Sequence, residues 1–328
     1  MRAIIHTAAG DTGVLQLREV PTPEPGPEQV RIRVRAAGLN RADILQRKGR
    51  YPAPPGWPAD IPGLEYAGEV EKPGPGASRW RVGDRVMGLV GGGAHAESVV
   101  VHQDEAIAVP PNLDFTQAAA IPEAFLTAWD ALVARGRVKA GERVLIHAVG
   151  SGVGTAAVQL ARQLGAVSVG TSRSPAKLEQ ARALGLDESI STAAGDGPGF
   201  APRLSAPVNL ILDFLGGPAL AENLDALAPR GRLVLLGFLQ GPMADLSLEP
   251  MLRKRLEVIG SVMRSRVLAE RIPLAAEFSE RVLPWFAESG PGVVRPIVGA
   301  TFPFSAIAEA HTAMEQDQNF GKIVLSWS

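Results

Sequence analysis

The sequence predicts an α/β protein with a β-rich, barrel-like unit, then a doubly wound parallel sheet, then a mixed tail. Three observations carry that expectation. The chain has 328 residues, more than one ordinary domain needs. Its first third holds short alternating strands parted by Pro/Gly turns. From about Phe115 onward, apolar strand-like runs alternate with helical stretches, as in a parallel sheet covered on both faces.

Each element follows from local pattern. Val30, Ile32, Val34 and Ala36 alternate with Arg31, Arg33 and Arg35, which predicts a strand with one buried face. Residues 67–71 and 85–89 read similarly, and PTPEPGPE, YPAPPGWPADIPG, KPGPG and VGGG read as turns. Residues 40–47 are expected to form a short helix, and 51–62 a rigid loop. FTQAAAIPEAFLTAWDALVARG reads as helix, broken or kinked near Pro122 and stopped at Gly136. ERVLIHA is an apolar run without strict alternation, a strand buried on both faces that ends at Ala148. A helix over 155–164 follows, then strand VSVGT, helix PAKLEQARALG, strands ESIS and VNLILD, helix LAENLDALA and strand GRLVLLG. LEVIGSVM is the expected last strand of that sheet. The tail offers a long helix over roughly 268–288, a short one over 305–316 and the strand GKIVLSW.

Composition excludes several chemistries. There is no cysteine, so disulfides, Fe–S clusters, thiolate zinc sites and cysteine nucleophiles are ruled out. Lys+Arg 33 against Asp+Glu 34 leaves a net charge of −1, which attracts neither nucleic acid nor an anionic membrane. No apolar run approaches the roughly 18 residues of a membrane helix. The N-terminal MRAIIHTAAGDTG lacks a signal peptide's apolar core and reads as the first strand of a cytoplasmic protein. The five histidines (6, 95, 102, 147 and 311) lack metal-ligand spacing. His147 is expected as a satisfied core residue, and His95 as a surface or pocket-rim residue.

The main chemical signal is ERVLIHAVGSGVGTAAVQLARQLGA. Gly150, Gly152 and Gly154 let the backbone turn sharply between strand and helix and approach a pyrophosphate, and the helix N-terminus offers N–H groups and a positive dipole end. Gly154 also permits close helix–strand packing. The spacing departs from G-x-G-x-x-G, with Val149 and Ser151 in the first two glycine positions. The second strand selects the cofactor. An NAD site carries an acid about 20 residues on. Here VSVGTSRSPAKL supplies Ser172, Arg173 and Lys177, with no acid before Glu179, so NADP(H) is expected.

The whole chain resembles the medium-chain dehydrogenase/reductases. Within them it resembles the zinc-independent quinone oxidoreductases, the group that includes zeta-crystallin, with the tumour-suppressor-inducible quinone oxidoreductases as the nearest branch. The matching stretches are AGLNRADILQRKGRY, PGLEYAG, TQAAAIPEAFLTAWDAL, VLIHAVGSGVGTAAVQLAR, NLILDFLGG, RSR and GKIVL, which span nearly the full length. The resemblance implies a GroES-like catalytic domain over 1–121, completed by a return segment, 266–328, and a Rossmann NADP(H)-binding domain over 122–265. In zinc-dependent members a Cys follows the third strand of the β domain and a G-H-E motif comes later. Here those positions are Asn40 and Gly63-Leu64-Glu65, and the four-Cys structural lobe is missing. A lone Glu65 cannot hold a catalytic zinc.

Without a Lewis acid to ionise an alcohol, direct hydride transfer to an electron-poor acceptor remains. The resemblance therefore implies an NADPH-dependent quinone reductase. A reductase of activated alkenes (enals, enones or enoyl thioesters) is the alternative, and a non-catalytic NADPH-binding or nucleic-acid-binding protein the third reading. A local basic patch for the last would be one such as Arg253–Arg255 with Arg264 and Arg266. By resemblance, Asn40, Asp43 and Tyr51 belong to the cleft between domains, and Thr127 lies near the nicotinamide. Cofactor contacts map onto Tyr51, Ser151, Gly152, Val153, Gly154, Ser172, Arg173, Lys177, Gly217, Gly237, Phe238, Met263, Arg264, Ser265, Asn319 and Lys322. An Asn40–Asp43 hydrogen bond is as strong a reading as substrate contact. Thr192 stands where the family often has Tyr or His. Relatives commonly dimerise through the edge strand of the Rossmann sheet, so a homodimer through LEVIGSVM is expected.

Overall fold

The computed structural model describes residues 1–195, 199–287 and 293–327. The chain divides into two compact units, Met1–Leu126 with Met263–Ser328, and Thr127–Val262. The expected breaks lay at 121/122 and 265/266. Each unit is described by itself.

The first unit opens with β1 (Arg2–His6), β2 (Leu15–Glu19), β3 (Gln29–Leu39) and α1 (Arg41–Arg47). Then come β4 (Glu65–Pro73), β5 (Arg85–Leu89), β6 (Ser98–His102), β7 (Ile107–Ala108) and α2 (Phe115–Ala118). α3 (Pro122–Trp129) starts in the first unit and runs on into the second, where it continues as a π-helical turn over Asp130–Arg135, stopped at Gly136. β3 behaves as its alternation requires. Val30, Ile32, Val34 and Ala36 are buried, while Arg31 and Arg33 pair with Glu71 and Arg35 with Glu69 of antiparallel β4. Those inward residues join Leu39, Tyr66, Val86, Phe304 and Leu325 in the core.

The second unit runs β8 (Arg143–Ile146), α4 (Gly152–Gln163), β9 (Val167–Ser172), α5 (Pro175–Arg182), β10 (Glu188–Ser191) and β11 (Val208–Asp213). It continues with α6 (Gly217–Ala226), β12 (Leu227–Leu235), α7 (Glu249–Lys254) and β13 (Glu257–Gly260). All strand pairs are parallel, in the order β10-β9-β8-β11-β12-β13. Chain direction across the sheet reverses between β8 and β11. That is the switch point where doubly wound folds bind ligands at the carboxyl ends of their strands.

The first unit is completed by α8 (Leu268–Arg281), β14 (Val298–Pro303), α9 (Ile307–Glu315) and β15 (Lys322–Ser326). Its seven-stranded sheet runs β14-β15-β3-β4-β5-β7, with β6 on β3. The helix expected over 268–288 stops at Arg281 and gives way to a 3₁₀ turn, Leu283–Phe286. Pro284 has no N–H to continue the ladder and disfavours helical geometry at Leu283. Glu288 and Ser328 lie outside the described residues. The buried strand ends at Ile146, two residues before the expected Ala148, whose φ of 46° already belongs to the turn. β2, β14 and α7 carry too few buried apolar positions to show in the sequence; β2 buries Leu15 alone.

Candidate active site

At the end of β3 the backbone N–H of Asn40 donates to Asp43 Oδ2 at 2.8 Å, and Gly63 N–H donates to Asp43 Oδ1 at 2.9 Å. Asp43 is fully buried with both oxygens on backbone donors, so it fixes the start of α1. Glu65, at the start of β4, is also fully buried. Its Oε1 lies 2.5 Å from Lys322 Nζ and accepts from Asn40 Nδ2 at 2.9 Å, and its Oε2 accepts from Glu123 N–H at 2.7 Å. Lys322 Nζ also donates to Asn40 Oδ1 at 2.6 Å and Leu39 O at 2.9 Å. The ammonium thus makes two hydrogen bonds and one ion pair. Gly38 makes the room, since a Cβ there would lie 2.1 Å from Glu65 Oε1.

Asn40 and Glu65 are the positions matched above to metal-binding residues. A buried ammonium is bonded to both, and a fixed cation there opposes a second one. The donor set does not fit zinc, which needs about three protein ligands. Among the described residues no group of three or more His, Asp or Glu side chains is arranged to hold a metal.

A second cluster in the same unit contains Tyr51, Arg264 and Glu123. Arg264 is buried and donates to Gly91 O at 2.8 Å, Tyr51 O at 2.9 Å and Gln46 Oε1. Its guanidinium lies 5.1 Å from the centre of the Tyr51 ring, within cation–π range. Glu123 follows Pro122 in the first turn of α3 and is half-buried. Burial pushes its carboxyl up to about 8, reinforced by the charge of Glu65 and opposed by Lys322. The dipole of α3 favours the anion, but such an effect is ordinarily below 1 kcal/mol and does not outweigh burial beside a second carboxylate. Burial, then Glu123, also raises the Tyr51 phenol. Two small cavities of about 20 and 10 Å³ adjoin Met263. Leu89, Val90, Glu123, Met263, Arg264 and Arg271 line the smaller, which has room for about one water.

In the second unit, Ser151 caps α4 by accepting from Gly154 N–H at 3.0 Å. A Cβ on Gly154 would lie 2.6 Å from the carbonyl oxygens of Ala148 and Val149, which explains the glycine. Helix geometry leaves the N–H groups of Gly152 and Val153 without intrahelical acceptors. Ser172 ends β9, Arg173 is exposed, and Lys177 packs its stem against Gly150. Two cations and a hydroxyl thus gather beside the glycine turn, and the nearest acid along the chain, Glu179, pairs with Arg182. Gly217 is a packing requirement: its N–H donates to Gly241 O at 2.8 Å, and a Cβ would lie 1.8 Å from Met243 O. Gly237 is half-buried and Phe238 55% exposed. Thr127 is buried, its hydroxyl without a partner among the described residues.

Several residues differ from expectation. His95 is fully buried rather than at a rim, with Nε2 3.4 Å from Gly38 O and its ring edge-on to Phe304. Arg264 is internal and hydrogen-bonded, so it is no part of a basic surface patch. Lys322 Nζ contacts Leu39 O, Asn40 Oδ1 and Glu65 Oε1. Asn319 Nδ2 donates to Gly321 O at 2.6 Å, and Ser265 is exposed. His147, by contrast, is the satisfied core histidine expected, bonded to Thr171 Oγ1 at 2.8 Å and Asn223 Oδ1 at 2.7 Å. The sequence reading assigned no role to Gln46 or Glu123. The signal for Glu123 was a single carboxylate inside the apolar run AAAIPEAFLTAW.

A GroES-like β unit joined to a parallel dinucleotide-type sheet defines a class of nicotinamide-dependent oxidoreductases, and the chain belongs to the medium-chain dehydrogenase/reductase superfamily. Residues 26–111 match the alcohol dehydrogenase GroES-like domain, and 152–287 the zinc-binding dehydrogenase family. The quinone oxidoreductase of Pseudomonas aeruginosa is 34% identical over 330 residues, 99% of each chain. Among solved structures, an NAD-dependent alcohol dehydrogenase is 32% identical with a TM-score of 0.85, covering 100% of both chains. The CurK enoyl reductase is 27% identical with a TM-score of 0.86, covering 100% of this chain and 99% of the other. Among the described residues no helix is long and apolar enough to cross a membrane.

Proposed function

We propose that the protein is an NADPH-dependent quinone reductase working without a metal. The observation that carries this is the Lys322 ammonium bonded to both Asn40 and Glu65. It supports direct reduction of an electron-poor acceptor over alcohol oxidation, which relies on a Lewis acid. The α4 N-terminus suits the pyrophosphate, and Arg173, Lys177 and Ser172 suit a 2′-phosphate better than a free ribose hydroxyl. The bound cofactor would supply a hydride to the acceptor. Tyr51, held at its backbone by Arg264, would orient the reacting rings, and Met263 and Thr127 would help to exclude water. A second reading, reduction of activated alkenes, is favoured by the likeness to CurK enoyl reductase. A cytoplasmic location and a homodimer through β13 belong to the same proposal. The dimer is supported by the exposed Val258 and Val262 at that sheet edge and Leu252 just before it.

The test is steady-state NADPH oxidation with 1,2- and 1,4-quinones, a 2-enal and an enoyl thioester, with NADH as the control. Quinone turnover with a preference for NADPH is expected. Turnover of the alkenes alone moves the protein to the second reading, and turnover of no acceptor overturns both.

A further inference from the structure

We propose that Glu123 is the acid of the reduction, donating its carboxyl proton to the carbonyl oxygen of a quinone or enone acceptor. The proposal rests on the reductase reading above and names a group that reading lacks.

Accounting for every carboxylate around the site leads to Glu123. Asp43 spends both oxygens on the N–H groups of Asn40 and Gly63. Glu65 spends its own on Lys322, Asn40 and the N–H of Glu123. Glu105 pairs with Arg271 at 3.0 Å. Among the described residues, the Glu123 carboxyl makes no hydrogen bond and no ion pair. The residue is half-buried and lines the water-sized cavity with Met263 and Arg264, so a water can sit beside the carboxyl. A proton lost to an acceptor can be replaced through that cavity.

The surroundings keep the group an acid. Lys322 is engaged by Glu65, Asn40 and Leu39, and the Glu65 charge raises Glu123 more than Lys322 lowers it. Asp43 adds negative charge and Arg264 partly offsets it. Tyr51 faces the same group, and Arg271 lines the same cavity. A carboxyl held at about 8 is protonated at neutral pH and close to the range for efficient general-acid catalysis.

The step balances. The acceptor gains a hydride, one proton with two electrons, from the reduced nicotinamide, which is oxidised. Its carbonyl π electrons move to oxygen. That oxygen takes the proton from Glu123 as the carboxyl O–H bond breaks, leaving hydroquinone or enol and a carboxylate that solvent reprotonates.

Two measurements test the proposal. The first is infrared difference spectroscopy of the cofactor-free full chain across pH. The wild type should show the carbonyl stretch of a protonated carboxylic acid at neutral pH, lost with a midpoint near 8 and absent in Glu123→Gln. The second is NADPH oxidation across pH with an enone and a 1,4-quinone. Glu123→Gln should lower enone turnover by about 10²–10⁴-fold and remove the alkaline limb of the profile. Glu123→Asp should restore part of the rate with a shifted limb, and Tyr51→Phe should keep the limb. Absence of the wild-type band, or a Glu123→Gln profile matching the wild type, overturns the proposal. So does a Tyr51→Phe variant that loses the limb while keeping the band, because the phenol is then the acid. A wild type that shows the band but reduces no acceptor overturns the donor role together with the reductase reading, and the band then locates the fault in the activity, not in the carboxyl.

Discussion

Lys322 and Glu65 are a buried ion pair whose value lies in what each does to the other. Removing one partner of such a pair costs about 3–5 kcal/mol, because the remaining charge is left uncompensated. Lys322→Met should therefore lower the free energy of unfolding in urea by about that amount, and Glu65→Gln added to it should recover part of the loss. A Lys322→Met protein as stable as the wild type would mean that Glu65 becomes protonated or finds another donor. Glu123 gives the opposite signature. Its folded value of about 8 lies above the ordinary 4.5, so the unfolded chain releases this proton first as pH rises. The wild type should lose stability relative to Glu123→Gln from about pH 4.5 up to about 8, and the difference should level off above that. Parallel stability curves for the two proteins would refute the raised value.

At the scale of elements, the glycine turn and the end of β9 form one local unit, which the proposal above assigns to the dinucleotide. Gly154 lets α4 start against the carbonyls of Ala148 and Val149, and Ser151 spends its hydroxyl on the Gly154 N–H. The Lys177 stem covers Gly150. Phosphate contacts from Arg173 and Lys177 would bear on the 2′-phosphate alone. Arg173→Ala with Lys177→Ala should weaken NADPH binding by roughly 10–100-fold, about 1.4–2.7 kcal/mol for the two charge-assisted contacts together, and leave NADH binding almost unchanged. Calorimetric titration with both cofactors measures this. An equal loss for both would place these side chains on the shared part of the dinucleotide.

For the whole molecule, the open question is assembly. β13 ends the six-stranded sheet and pairs on one side only among the described residues, and Val258 is 38% exposed. Such an edge is a template for pairing with a second copy. Sedimentation should find a dimer, and Val258→Lys should shift it to monomer with an unchanged circular dichroism spectrum. A monomeric wild type would sink the edge-strand dimer.

The alternation around Val30–Ala36 and the strand–helix repeat from Arg143 to Gly260 made the centre of the seven-stranded sheet and the whole six-stranded sheet legible, because periods of two and 3.6 report which side chains face a core. The glycine turn was legible for the same reason, as local chain geometry within a βαβ unit. The elements that escaped, such as β2 with only Leu15 buried, owe their structure to pairing with a distant strand. The site escaped in the same way. Lys322 reaches Leu39 and Asn40 across more than 280 residues, and Glu123 reaches Glu65 across 58. Whether a given Lys, Glu or His is a ligand, a partner or a lone acid depends on which charges the fold buries beside it. That placement is a property of the packed sheet, and no local spacing encodes it.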